Sequence, residues 1–368
     1  MSQALPHPST TDVNTLRHAA APSKKPKLSG IEAARGIAAT MVVFYHAARH
    51  LQAEYHVMPW SGVAQFGHSG VDFFFVLSGF IIFFVHQADF GQPSRLPNYF
   101  QRRFIRIYPL FYVSLIVGLI LVALSSTQKF PGLLTVLQNA TLLPFGNDVG
   151  IAWTLQHEIL FYLIFAFAMI NKRIGITLFI SWFFLIMVSW LAHYTPAGSG
   201  LLPRLVSTFN LGFFFGMFAA YIVKKGVTGN RRTLFLIGAA TFCGVALVEN
   251  LAIFDGYAPS AQVAYGLSAM LIVIGIASSN LHGQLEAPRF LTKLGAASYS
   301  IYLLHLPCIG IIYKLLAVTG LLAHLPLGLL YLLLSVASIL LCSAASRLIE
   351  YPLMDFVRKV MFARRALA

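Results

Sequence analysis

Of 368 residues, 58% are hydrophobic and only 10% charged, with a net charge of +14 and a mean hydropathy of +0.74. A soluble domain carries roughly 25% charged residues, so this composition excludes a water-facing surface of ordinary size. The apolar residues fall in blocks of about 17 to 25, the length that spans a hydrocarbon core, without the period-two alternation of a barrel strand; the expectation is an all-α polytopic membrane protein of about ten spans.

In chain order, residues 1–29 form a polar tail with the basic run Lys24, Lys25, Lys27, read as disordered and too polar for a secretory signal. The spans are expected at about 31–51, 70–87, 103–124, 151–170, 174–193, 205–223, 233–250, 262–280, 296–318 and 325–347. The stretch PGLLTVLQNATLLPF is too short and broken to cross and reads as interfacial or re-entrant. A membrane-embedded domain over 30–352 and a basic C-terminal tail over 353–368 complete the division. With the N-terminus placed inside, all but four of the 26 Lys and Arg residues fall on the cytoplasmic side, the exceptions being Arg49, Lys129, Arg204 and Lys314. This asymmetry predicts both termini in the cytoplasm of a bacterial inner membrane. It also makes the basic charge topological and lipid-facing, not a nucleic-acid footprint. The cysteines Cys243, Cys308 and Cys342 are far apart in sequence and show neither a metal spacing nor a disulfide framework.

Ionisable groups inside spans are costly and are functional candidates by default. Span one, EAARGIAATMVVFYHAARH, carries Arg35 near its start and His46 eleven residues on. Eleven residues are close to three turns, so the two share a face about 16 Å apart along the axis. A snorkelling arginine and a helix–helix hydrogen-bonding histidine are the plainer accounts. Span two, GHSGVDFFFVLSGF, enters with Asp72 at a depth similar to His46. A His46–Asp72 pair would be a general base with its orienting carboxylate, and an N-terminal cap is the plainer role for Asp72. Ser78 is a lining hydroxyl. In YFQRRFIRIYPLFY, Arg102, Arg103 and Arg106 join Arg35 in a guanidinium cluster suited to phosphate, against simple positive-inside anchoring. Span four, AWTLQHEILFYL, places His157 and Glu158 one turn inside. Span nine, SYSIYLLH, puts Tyr299, Tyr302 and His305 on roughly one face, and Glu350 beyond span ten is positioned to pair with an arginine.

These strings resemble the membrane acyltransferase family 3, whose members O-acylate lipopolysaccharide, exopolysaccharide and related surface glycans. The resemblance runs from about residue 31 to residue 352. It rests on the ten residues between Arg35 and His46, then GVDFFFVLSGF, RRFIRIYP, WTLQHEILFY, SYSIYLLH and EYP, in that order. It implies a cytoplasmic acetyl-CoA or other acyl-CoA donor, with no permanently bound cofactor, and a polysaccharide or lipid-linked glycan acceptor. It carries over His46 as the catalytic histidine, Arg35 as essential, Glu158 as a further site residue, and Arg103 and Arg106 near the coenzyme A phosphates. Tyr302 and Ser78 are donor-site candidates. The chain looks like the shorter exopolysaccharide-modifying type, without an appended hydrolase-like domain. Direct attack by an acceptor hydroxyl deprotonated by His46 and a covalent acyl-imidazole both remain open. A proton-coupled transporter using the same His and Glu residues is the rival from another class.

Overall fold

The computed structural model describes residues 28–363 except 126–128, 145–149, 151, 197 and 199; the expected N-terminal tail lies outside the described residues but for its last two. A chain this apolar satisfies its backbone polar groups within each segment, and among the described residues the result is helical throughout. Ten long helices correspond to the ten expected spans: α1 (Ser29–Tyr55), α2 (Gly70–His86), α3 (Leu96–Ala123), α4 (Ala152–Ile170), α5 (Lys172–Leu191), α6 (Leu211–Lys225), α7 (Arg231–Asn250), α8 (Pro259–Leu281), α9 (Arg289–Val318) and α10 (Leu327–Ala345). Eight of the ten are long and apolar enough to cross a membrane; α1, which carries several charged residues, and the 15-residue α6 fall short of that measure. The fold is therefore an all-α, multi-pass membrane architecture. The stretch expected not to cross holds only the nine-residue helix Leu133–Thr141.

One difference lies after α10. Residues 353–363, assigned from sequence to a tail, belong to a further helix, α11 (Tyr351–Ala363), joined to α10 by a π-helical turn over Ser346–Glu350. The turn reads SRLIE, and a single extra residue per turn leaves no signature in the spacing of so short a segment.

Two close backbone approaches set the arrangement of the helices. Where α1 crosses α9, a Cβ on Gly295 would lie 1.8 Å from the carbonyl oxygen of Glu32, and one on Gly36 would lie 2.7 Å from the amide nitrogen of Gly295. Where α2 crosses α6, a Cβ on Gly216 would lie 2.0 Å from the carbonyl oxygen of Val76. Small residues allow this proximity between membrane helices, whose association depends on packing rather than on a hydrophobic drive. Gly295→Ala is expected to force α1 from α9, destabilising the protein by about 1–3 kcal/mol and lowering its melting temperature in detergent. An unchanged melting temperature would show that the crossing is not tight.

Helix α3 is bolted to α9 at two levels. The Tyr299 hydroxyl donates to the Ile107 carbonyl at 2.7 Å. Higher along the pair, Pro307 within α9 removes the amide that would bond the Leu303 carbonyl, and the Ser114 hydroxyl donates to that carbonyl at 2.9 Å instead. A helix-breaking residue is thus accommodated by a neighbouring side chain.

Candidate active site

A cavity of about 660 Å³ opens between α1, α2, α3, α4, α9 and α11. At one end it is lined by Arg102, Arg103 and Arg106 of α3, Arg35 of α1 and Arg358 of α11; farther in come Ser78, Glu158, Tyr162, Ser298 and Tyr299, and at the opposite end Val71, Thr154 and Tyr302. Phenylalanine, leucine and isoleucine side chains of α2, α3 and α4 fill the walls between. Its size and its balance of apolar wall and few polar groups are those of a small-molecule site. Of the polar residues singled out in the sequence, Arg35, Ser78, Arg102, Arg103, Arg106, Glu158, Tyr299 and Tyr302 share this one cavity.

The polar groups of the cavity hold one another in place. Glu350 pairs with an arginine, as expected: Arg106 Nη1 donates to its Oε1 at 2.6 Å. Its other oxygen accepts from Ser300 at 2.6 Å and from Ser346 at 2.9 Å, so the buried carboxylate is fully engaged. Arg106 also lies 4.9 Å from the centre of the Tyr299 ring. Its charge is therefore compensated from within the protein, while Arg103, stacked 5.7 Å from the Tyr162 ring centre, makes no ion pair with a carboxylate among the described residues. On the far wall Glu158 accepts from Ser78 at 3.2 Å and from the Tyr162 hydroxyl. Arg35 lies within electrostatic reach of both Glu158 and Glu350.

The histidine is arranged differently from the sequence expectation. His46 does not pair with Asp72; its partner is His305. The His305 Nδ1 sits 3.1 and 2.7 Å from the carbonyls of Ile301 and Tyr302. Carbonyls only accept, so that nitrogen carries the proton and His305 Nε2 is left as an acceptor. It faces His46 Nδ1 at 3.2 Å, and the same Nδ1 lies 3.0 Å from the Val42 carbonyl. Two acceptors on one nitrogen fix His46 as the Nδ1–H tautomer, with Nε2 unprotonated and available as a base. Asp72 lies elsewhere. It is 4% exposed with its Oδ2 unbonded, on the face of α2 toward α7 and α8, where it feels the charge of Glu249. Gly67 packs against Met41 and Tyr45 and Gly70 against Ala38 and Val42, so α2 runs antiparallel to α1 and carries Asp72 away from the level of His46 as well as onto another face.

Neither His46 nor Asp72 lines the cavity. The link is Tyr302, which closes the cavity's inner end with its hydroxyl 2.7 Å from Thr154 Oγ1 and its ring 5.6 Å from Phe74 and 6.0 Å from His305. The histidine pair thus sits one helical turn past the cavity's end.

Sequence reasoning missed a second buried cluster beside His46. His68 Nε2 and Glu249 Oε1 are 2.8 Å apart, Tyr265 donates to Glu249 at 2.6 Å, and the Tyr257 ring stacks on His68 at 4.2 Å. Tyr45 joins the two groups, 5.7 Å from the His68 ring and 4.9 Å from that of His46. Glu249, an ionisable residue near the end of a membrane helix, is the one local feature that could have drawn attention to it, though not to its partner. His157, by contrast, donates from Nδ1 to Asn210 at 2.8 Å, whose amide in turn donates to the Arg204 and Leu205 carbonyls; it fixes the entry to α6. The cysteines Cys308 and Cys342, distant in sequence, meet as free thiols 3.6 Å apart between α9 and α10.

The family model described as "Acyltransferase domain" matches residues 28–347. A similar curated protein is the exopolysaccharide production protein ExoZ of Rhizobium meliloti (strain 1021), 29% identical over 264 residues, which cover 67% of this chain and 78% of that protein. No solved structure matches the chain.

Proposed function

The chain belongs to this acyltransferase family, matched over most of its length, and from that premise we propose that it transfers an acyl group, acetyl first among them, from acyl-CoA to a hydroxyl of an extracytoplasmic glycan. The observation that carries the reading is the cavity itself: guanidinium groups at one end, and at the other Tyr302 in contact with the His46–His305 pair. Guanidinium groups suit the phosphates of a nucleotide-bearing donor. The excess of Lys and Arg on that side supports placing the arginine end and both termini in the cytoplasm of a bacterial inner membrane. The donor then enters from the cytoplasm, and its thioester is directed toward Tyr302. A polysaccharide or lipid-linked glycan is the acceptor, a class consistent with the exopolysaccharide in the name of the relative. Membrane lipids surround the bundle, and no nucleic acid takes part.

In the reaction, His46 Nε2 takes the proton of the acceptor hydroxyl, and the oxygen attacks the thioester carbonyl. The carbon–sulfur bond breaks, the ester forms, and the departing thiolate recovers the proton as coenzyme A. His305 supports this by holding the other imidazole nitrogen protonated, the role that sequence reasoning gave to Asp72. Arg35 and Glu158 bracket the donor's path, with Ser78 and the Tyr302 hydroxyl as donors for the oxyanion. Direct attack suits this tautomer, because the single free nitrogen is the one that serves as base. An acyl-imidazole would use the same nitrogen as nucleophile.

Coenzyme A is expected to raise the melting temperature of the purified protein, by about 2.7 kcal/mol of added stability at a hundredfold excess over Kd. Radiolabelled acetyl-CoA is expected to label a surface glycan fraction only when the protein is present. A proton-coupled transporter would show neither effect, and their joint absence would refute the acyltransferase reading for this chain.

A further inference from the structure

The chain does not leave the bundle at the end of α10. The π-helical turn at Ser346–Glu350 is pinned by the Glu350 carboxylate, which holds Ser300, Ser346 and Arg106 at once. Its insertion re-aims the following helix, and α11 is tied back to α9 where the Tyr351 hydroxyl donates to the Ala296 carbonyl at 3.2 Å. Residues spaced by four lie on one helical face; Met354, Arg358 and Phe362 of α11 do so, and all three line the cavity at its arginine end. On the other side of α11, Phe356 is 64% exposed, as befits a helix lying at a membrane surface. Among the described residues Arg358 pairs only with Asp355, three residues away at 3.0 Å, both side chains being more than half exposed. Such an exposed pair contributes little, so the guanidinium is free to take a better acceptor.

We infer that α11 is a wall of the donor site, and that Arg358 binds a phosphate of the nucleotide-bearing thioester while Met354 and Phe362 cover its apolar part. The inference rests on the acyl-CoA reading and extends it to a segment the family match does not reach, since that match ends at residue 347. With Arg106 already neutralised by Glu350, the anion-binding capacity of the mouth falls to Arg102, Arg103 and Arg358. A phosphate at this level has two sources, the donor or a lipid headgroup, and the two separate experimentally.

The test compares wild type, Arg358→Ala and the control Lys359→Ala, whose side chain does not line the cavity, in nanodiscs of zwitterionic lipid and, in parallel, of lipid containing an anionic headgroup. Each is assayed with acetyl-CoA and with acetyl-pantetheine, which lacks the nucleotide phosphates. Arg358→Ala is expected to raise the KM for acetyl-CoA about tenfold, as for loss of one charge-assisted contact, and to leave the KM for acetyl-pantetheine and the behaviour of Lys359→Ala unchanged. An unchanged KM for acetyl-CoA overturns the assignment. Equal losses with both donors, or losses that appear only when anionic lipid is present, overturn it in favour of a structural or lipid-binding role. If wild type neither turns over nor binds acetyl-CoA, the acyl-CoA reading itself falls; if wild type responds and the variant matches it, only the role of α11 does.

Discussion

His46→Ala is expected to reduce acyl transfer by about 10²–10⁴-fold, the usual contribution of a positioned general base, with the melting temperature and the stabilisation by coenzyme A retained. The side chain is only partly buried and lies beyond the cavity that holds the arginines, so its loss should leave donor binding intact. His305→Ala tests the arrangement independently. Without His305 Nε2 as acceptor, only the Val42 carbonyl still holds the His46 Nδ1 proton, so kcat should fall and the alkaline and acid limits of the pH–rate profile should move. His305→Gln, whose side-chain carbonyl can accept the same proton, should recover part of the rate; a purely packing role for His305 would move stability without touching the profile. Full activity in His46→Ala would contradict both the base and the covalent mechanism.

Glu350→Ala is expected to be the most destabilising single change at the cavity. It strips Arg106, Ser300 and Ser346 of one shared acceptor and leaves a guanidinium without its counter-charge. Breaking a buried pair by removing one partner costs about 3–5 kcal/mol, which should appear as a large drop in melting temperature together with weakened donor binding, because the π-helical turn aiming α11 loses its anchor. Arg106→Ala should behave similarly, since the carboxylate it strands has no exposed side-chain surface. A residue serving only as a phosphate ligand would instead raise the donor's KM without cost in stability. Replacing both members by apolar residues, as in Arg106→Met with Glu350→Leu, should restore much of the stability but not the donor affinity. A stable Glu350→Ala variant with normal donor binding would refute the hub role of Glu350.

Much of this was legible in the sequence because membrane helices declare themselves by length and apolar content, and because helical spacing places Arg103 with Arg106 or Tyr299 with Tyr302 on common faces. What spacing cannot report is which neighbour a face meets. The contact of α1 with α9 through Gly36 and Gly295 turns His46 toward His305. The packing of Gly79 and Gly216 between α2 and α6, in turn, commits α2 to an orientation that sends Asp72 to the other side. His68 and Glu249 are separated by 181 residues, and nothing local announces their meeting. The π-helical turn over Ser346–Glu350 escaped because one additional residue in a five-residue segment leaves no periodicity to detect.

The two crossbars from α3 to α9, Tyr299 to Ile107 and Ser114 to Leu303, give the enzyme a rigid ruler. In the reaction proposed above, one end of α3 grips the charged portion of the donor, while the segment of α9 between the bars carries Tyr302, with His305 two residues beyond, so the span between grip and chemistry is set by the frame. Tolerance for bulkier acyl chains must therefore be decided at the far stop of that ruler, by the space that Phe74 and Tyr302 leave, and trimming either ring is the direct way to widen it.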